Sequence, residues 1–332
     1  MTNIFDVAAE AGVSHQTVSR VLNGDKNVRP TTKARVEDAI AKLNYRPSAA
    51  ARALAGRRAR SLGLISTGGP LFGPSSIMQG FDVAARLAGY QVSTATLGQS
   101  EPGAMRIAVD ALLGQNVEAI VLIAPDAAAI EAIQAVDVQV PLVVADSGDY
   151  EGFLGVSLDQ FGGAVAATEH LVSLGHRSIV HLAGPASWTD ARAREEGWRS
   201  VVSRLGSPVP HVLRGDWTPD SGYRVGLELA DRDDFTAVFC GNDQMALGVL
   251  HAFVEKGVDV PGRISVIGFD DIPEAAHFHP PLTTMRQDFE GLGRDLMRAV
   301  EAVIRGDDPT VGDPGQRVPD LIVRSSTRSL AD

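Results

Sequence analysis

Four polar residues near the start of the chain stand at spacings that could read a nucleic acid. His15, Gln16, Ser19 and Arg20 are separated by one, four and five positions, so a helix presents them on one face. Arginine can bond guanine O6 and N7 bidentately and glutamine can pair with adenine N6 and N7, whereas Ser14 and Thr17 at the helix start suit phosphate oxygens. A second set is spread through the body of the chain. Asp146, Asn242, Asp243, Asp270 and Asp271 each follow a short apolar run, Arg192 comes just beyond LAGP, Trp217 closes GDW, and Gln287 follows PPLTTMR. Acceptors, amides, a guanidinium and one large ring are what a polyhydroxylated ligand needs. Carboxylates and amides take neighbouring hydroxyls in pairs, and an indole covers the apolar face of a sugar ring.

The first set needs a small helical scaffold. Ile4, Val7, Ala8 and Ala11 recur at helical spacing, Gly12 allows a tight turn, and Ser14 can cap a second helix whose inner face is Val18, Val21 and Leu22. Val13 lies between the two helices and plugs their shared core. Two short helices joined by such a turn, with a polar row at the start of the second, form a helix-turn-helix. A third helix is expected from about Thr32 to Asn44, capped by Thr31 or Thr32 after Pro30, with Val36, Ile40 and Leu43 facing inward. RPSAAARALAGRRARSLG then favours a further helix of little more than two turns, too short to be stable alone. Leu54 is its one large apolar side chain, suited to wedging into a minor-groove step, with Arg52, Arg57, Arg58 and Arg60 beside it for phosphates.

The second set needs strand ends. SLGLIST, YQVSTATL, EAIVLIAP, VPLVVAD, SIVHLAGP, TAVFCGND and ISVIGFDD alternate with amphipathic stretches such as MQGFDVAARLAG and AMRIAVDALLGQN. Apolar runs separated by helix-length crossovers indicate parallel sheets flanked by helices, and six or more such units favour two sheets over one. Ligands of open α/β sheets bind beyond the carboxyl ends of the strands, where these polar residues stand.

Charge divides the chain in the same way. The net charge is -11, yet residues 1–60 carry eleven lysines and arginines against five acidic residues, a net +6 that leaves -17 for the rest. A basic head is a footprint for phosphates, and an acidic body would be repelled by them. With 332 residues, 44% apolar and 21% charged, the chain suits a soluble protein of two or three domains. It shows no signal-peptide pattern and no apolar run near ~20 residues, so a cytoplasmic protein with no membrane partner is expected; the single Cys240 suits a reducing compartment. Catalysis is not expected. Adjacent Asp270 and Asp271 would point to opposite faces of a strand, and Cys240 lies within an apolar run. His277 and His279 are spaced for a metal without an evident third ligand, and a nucleotide-binding glycine loop is missing, so neither metal nor cofactor is expected.

From IFDVAAEAGVSHQTVSRVLNG through RPSAAARALAG, the order and spacing of parts resemble the DNA-binding head and hinge helix of the lactose-repressor (LacI/GalR) family. Residues 62 to about 328 resemble that family's effector domain, shared with periplasmic sugar-binding proteins, in AGPASWTDARAREEGW, GDW, GNDQMALG, GFDD and PPLTTMRQDF. The resemblance implies a small all-α helix-turn-helix DNA-binding domain over 1–46, a hinge helix and linker over 47–60, and an α/β two-lobed sugar-binding and dimerisation domain over 61–332. It places His15, Gln16 and Arg20 at base-reading positions, Asn23 with Ser14 and Thr17 among the DNA contacts, and Leu54 in the central minor-groove step near Arg52. In the body it places Asp146, Arg192, Trp217, Asn242, Asp270 and Gln287 on effector contacts, and Thr67, Pro74, Ile77 and Phe289 on the pocket lining. The implied function is a repressor that binds a pseudo-palindromic double-stranded operator as a homodimer and is released by a small sugar inducer, a galactoside first. A ligand-activated corepressor-type member, or a solute-binding protein without a regulatory role, is the alternative. The closing residues SSTRSLAD carry no leucine heptad, which implies a dimer rather than a tetramer.

Overall fold

The computed structural model describes residues 3–22, 25, 27–45, 60–98, 100–146, 153–206, 211–308 and 315–330. The chain divides into two units, Met1–Arg60 and Ser61–Asp332. Residues 47–59 of the expected helix, Arg52 and Leu54 among them, lie outside the described residues, as does Asn23.

In the first unit, α1 (Ile4–Ala11) starts at a capping box in which Asn3 and Asp6 exchange side-chain and backbone bonds. It stops at Gly12, whose φ of 62° lets its N–H return to the Ala8 and Ala9 carbonyls. Helix α2 (His15–Leu22) follows Ser14, whose hydroxyl accepts from the Thr17 N–H at 3.2 Å. Helix α3 (Pro30–Lys42) begins two residues before its expected start, with no side-chain cap at Arg29. Proline is at home in that first position because its missing N–H would have been unpaired anyway, so Thr31 and Thr32 fall inside the first turn. Val7, Ala8, Ala11, Val18, Val21, Val36, Ala39 and Tyr45 are buried together, with Val13, Leu22, Ile40 and Leu43 packed on them.

The second unit has two lobes. In the first, β1 (Ser61–Ser66), α4 (Phe72–Leu87), β2 (Gln91–Thr96), α5 (Pro102–Leu113), β3 (Ile120–Ile123), α6 (Ala127–Gln134), β4 (Leu142–Ala145) and β5 (Leu154–Val156) build a parallel sheet in the order β2-β1-β3-β4-β5. Every residue of β3 is buried because helices cover both faces, which is why the run reads IVLI without alternation. Each such side chain contributes about 1.5–3 kcal/mol relative to exposure. In the second lobe, α7 (Gln160–Ser173), β6 (Ile179–Ala183), α8 (Thr189–Val202), β7 (Leu213–Arg214), α9 (Pro219–Ala230), β8 (Ala237–Cys240), α10 (Asp243–Glu255) and β9 (Ser265–Ile267) give a parallel sheet β7-β6-β8-β9.

The chain crosses between lobes at 157–159, at 287–288 between β10 (Thr284–Arg286) and α11 (Phe289–Arg305), and again on the way from α11 to β11 (Asp320–Ile322). Strands β10 and β11 pair antiparallel, and the Asp159 N–H bonds the Arg317 carbonyl at 2.9 Å, so the crossovers lie side by side. Helix α11 returns to the first lobe and packs on α4 so closely that a Cβ at Gly80 would collide with the Phe289 carbonyl oxygen.

Candidate functional site

The exposed face of α2 carries His15, Gln16 and Arg20. Ser14 is engaged as the cap, its hydroxyl 3.0 Å from that of Thr17, so these two fix the start of the helix beneath the outward row. Arg20 Nε is 3.8 Å from Asp25 Oδ2, a loose and exposed pair that leaves the guanidinium accessible. The His15 ring rests 5.1 Å from that of Phe5.

In the second unit, two adjoining cavities open between the lobes and share Gly73, Pro74, Trp188, Asp190 and Arg194. The larger is mostly apolar, with Ile77, Ala145, Leu158 and Phe289 in its wall and Asp146, Gln160 and Gln287 among its polar groups. The smaller adds Leu71, Phe72, Trp217, Asn242 and Asp270. Asp146 follows β4, Asn242 follows β8 and Asp270 follows β9, so the carboxyl ends of strands from both lobes converge here as the topology requires.

Each polar wall residue is held by its neighbours. Asn242 caps α10 by accepting from the Met245 N–H at 2.9 Å and donates to the Trp217 carbonyl at 3.1 Å, fixing the turn in which Trp217 adopts φ 73°. The buried Trp217 indole N–H has no acceptor among the described residues, and its ring meets Trp188 edge-on at 5.6 Å. A donor buried without a partner costs about 1–3 kcal/mol, which a ligand oxygen would offset. Asp270 accepts from Gln287 at 2.7 Å and lies 3.6 Å from Arg194 Nη1. Burial pushes its carboxyl up to about 6, against the opposing pull of Arg194 and the Gln287 hydrogen bond, and nearby Asp190 adds to the rise.

Arg192 is a correction. It is exposed on α8 and absent from both cavity walls, whereas Arg194, only 5% exposed, lines both. Ala191, Arg194, Trp198, Val201 and Val202 form the buried stripe of α8, and two residues along a helix turn a side chain by roughly 200°. That stripe was visible in the sequence and distinguishes the two arginines. Arg194 also donates to the Gly241 carbonyl and lays its guanidinium 4.0 Å from the centre of the Phe269 ring. Thr67 is likewise not brought to the cavity wall. It is fully buried and bonds the Ile123 carbonyl from its hydroxyl at 3.3 Å, tying the end of β1 to β3. Pro74, Ile77, Asp146, Trp217, Asn242, Asp270, Gln287 and Phe289 stand in the walls. Sequence reasoning missed Gln160, Trp188 and Asp190; Trp188 and Asp190 lie in the same SWTD segment beyond a strand end.

The adjacent Asp271 is turned away from Asp270 and pairs with Arg286 and Arg324, each at 2.6 Å. The buried Asp243 accepts from Thr284 and the Ile272 N–H, with burial raising its carboxyl well above the usual range. Burial also pushes the Cys240 thiol up. Among the described residues, no helix is long and apolar enough to cross a membrane.

A helix-turn-helix head joined to a two-lobed α/β domain with a cavity between its lobes is the architecture of a DNA-binding regulator with an effector domain. The chain belongs to the lacI family of bacterial regulatory proteins and is a DNA-binding transcriptional repressor of that family. The family model "Bacterial regulatory proteins, lacI family" matches residues 3–48, and "Periplasmic binding protein-like domain" matches 168–327. The chain is 37% identical over 294 residues to the lactose operon repressor of Escherichia coli (strain K12), covering 88% of this chain and 81% of that one. It is 34% identical over 341 residues to the transcriptional repressor PurR of Glaesserella parasuis serovar 5 (strain SH0165), covering 99% of each. The crystal structure of the lac repressor dimer bound to operator and the anti-inducer ONPF superposes with a TM-score of 0.89 at 34% identity, covering 98% of this chain and 99% of that one.

Proposed function

We propose that this repressor acts as a cytoplasmic homodimer on a pseudo-palindromic operator and is released when a small neutral sugar, a galactoside first, fills the cavity between the lobes. The observation that carries this reading is the Arg194–Asp270 pair set beside Asn242 and the unpartnered Trp217 N–H, with Asp146 on the facing lobe. Guanidinium, carboxylates and amide address neighbouring hydroxyls, and the indole covers a ring face. The apolar larger cavity suits the aglycone side of a glycoside. In the head, Gln16, His15 and Arg20 read base edges while Ser14 and Thr17 approach phosphates and Asn23 also contacts the DNA; of the 47–60 segment, Leu54 enters the minor groove between two paired subunits and Arg52 holds phosphate. Sugar binding changes the lobe arrangement and unpairs those segments, a coupling of about 1–3 kcal/mol.

A second reading, activation by a purine base as corepressor, draws on the likeness to PurR and on the Trp217 and Asp270 combination, which could also stack and bond a base. The test is a titration of operator affinity, on DNA selected by this protein from random sequence, with lactose, melibiose, cellobiose and hypoxanthine. Release by lactose or melibiose supports induction by a galactoside; tightening by hypoxanthine reverses the sign, and release by cellobiose alone changes the sugar.

A further inference from the structure

Four buried side chains close a ring beside the cavity. Arg194 Nε donates to Gln160 Oε1 at 2.9 Å, Gln160 Nε2 donates to Gln287 Oε1 at 2.8 Å, and Gln287 Nε2 donates to Asp270 Oδ1 at 2.7 Å. That carboxylate oxygen returns to Arg194 Nη1 at 3.6 Å. The members come from four places in the chain. Arg194 lies on α8 and Asp270 follows β9, both in the second lobe, whereas Gln160 opens α7 directly after the crossover at 157–159 and Gln287 lies in the crossover before α11. Two members therefore belong to the segments on which the lobes must turn, and the other two are the charged groups that a hydroxylated ligand would engage.

The donors run one way round the ring, and position 160 needs a group that accepts and donates at once, as its amide does. It must accept from a guanidinium and donate to the next amide. A carboxylate there has no donor, so Gln287 would have to turn its NH2 toward position 160 and would then present its carbonyl to Asp270. A leucine offers neither function and leaves the Arg194 Nε–H without its acceptor. Buried networks of this kind tolerate few arrangements, which lets a change at one member be felt at the others.

We propose that Gln160 is a positioning residue of the effector response: it carries the state of the Arg194–Asp270 pair to the first crossover and, through Gln287, to the second. This rests on the reading of the cavity as the effector site. A ligand that recruits Arg194 and Asp270 redistributes their bonds, and Gln160 and Gln287 convert that redistribution into a change of register between the crossovers.

The test uses the full chain and its Gln160→Glu and Gln160→Leu variants. The first readout is operator affinity without sugar and at saturation, with whichever of lactose, melibiose, cellobiose and hypoxanthine shifts the unaltered protein. Saturation removes any change in ligand affinity from the comparison. The expected result is that the ligand-induced shift in operator affinity at saturation is lost in both variants, to within twofold of no shift. A shift that survives at half or more of its size in the unaltered protein in both variants overturns the proposal, because a residue that only packs the core would lower stability and leave the saturated shift intact. The second readout is hydrogen exchange of the free protein at the Asp159 amide, which bonds the Arg317 carbonyl across the crossovers. Exchange at least tenfold faster in the variants supports the brace, and unchanged exchange overturns it. If none of the four ligands moves the unaltered protein, the sugar and purine readings of the cavity fail, and the exchange measurement alone decides whether Gln160 braces the crossovers.

Discussion

Arg194 Nη1 stands 3.6 Å from Asp270 Oδ1, with both side chains only 6% exposed. Such a pair is costly to desolvate and is retained where its partners satisfy it on every side. Here Gln160, Gln287 and the Gly241 carbonyl complete the arginine and carboxylate, and the open side of the pair faces the cavity. A ligand can therefore act on the pair without first having to build it.

Removing one partner separates the two arginines of α8. Arg194→Ala leaves Asp270 buried without its guanidinium and is expected to destabilise the second unit by about 3–5 kcal/mol and to abolish the ligand-induced shift in operator binding. Arg192→Ala changes an exposed side chain and is expected to stay within ~0.5 kcal/mol with an unaltered ligand response. Urea denaturation and calorimetric ligand titration of the two variants check this; equal effects would return Arg192 to the site.

The raised Asp270 carboxyl gives a pH signature. With burial holding it at about 6, the native state keeps a proton between roughly pH 4 and 6 that the unfolded chain, titrating near ~3.9, has released. Its contribution to stability is thus fully present below about pH 4 and declines as pH rises to about 6, by roughly 3 kcal/mol. Asp270→Asn removes the titration. The stability of the unaltered protein minus that of the variant should fall by about that amount between pH 4 and pH 7, measured by urea midpoints; a constant difference contradicts the assignment.

How much of this was legible in the sequence follows from the length of each signal. The long apolar runs and their polar ends mark both parallel sheets and bring Asp146, Asn242 and Asp270 to one place. The strands β5, β7, β10 and β11 have two or three residues each, too few to show a period, and exist because the crossovers and sheet edges position them. Motif matching put the guanidinium at Arg192, where the helical stripe through Ala191 and Trp198 selects Arg194. Thr67 follows its strand as a ligand-binding residue would, yet the neighbouring Ile123 carbonyl takes its hydroxyl. Gln160 carried no signal at all, since its role depends on Gln287, 127 residues away.

Close packing of α4 on α11 supplies a stability test outside the cavity. Gly80→Ala places a methyl against the Phe289 carbonyl, a backbone atom that cannot turn aside, and Phe289 opens the helix that carries the chain back into the first lobe. A loss of about 1–3 kcal/mol is expected, read as a lower thermal midpoint. A midpoint unchanged within error would mean the helices separate freely.

On the DNA side, Arg20 is exposed on α2, loosely paired with Asp25. Arg20→Ala should weaken specific binding by about 1–3 kcal/mol and relax base preference at one position of each half-site. Selection from random DNA checks this, and an unchanged preference would place the base contact elsewhere.

The central claim is that the cavity and the DNA-reading head are two ends of one equilibrium. Its most direct measurement is reciprocal: the factor by which saturating sugar changes operator affinity, set beside the factor by which saturating operator changes the Kd of that sugar. Thermodynamic linkage requires the two factors to be equal, and the account predicts equal factors of about 5- to 150-fold. A sugar that binds the cavity with the same Kd whether or not operator is present would contradict it.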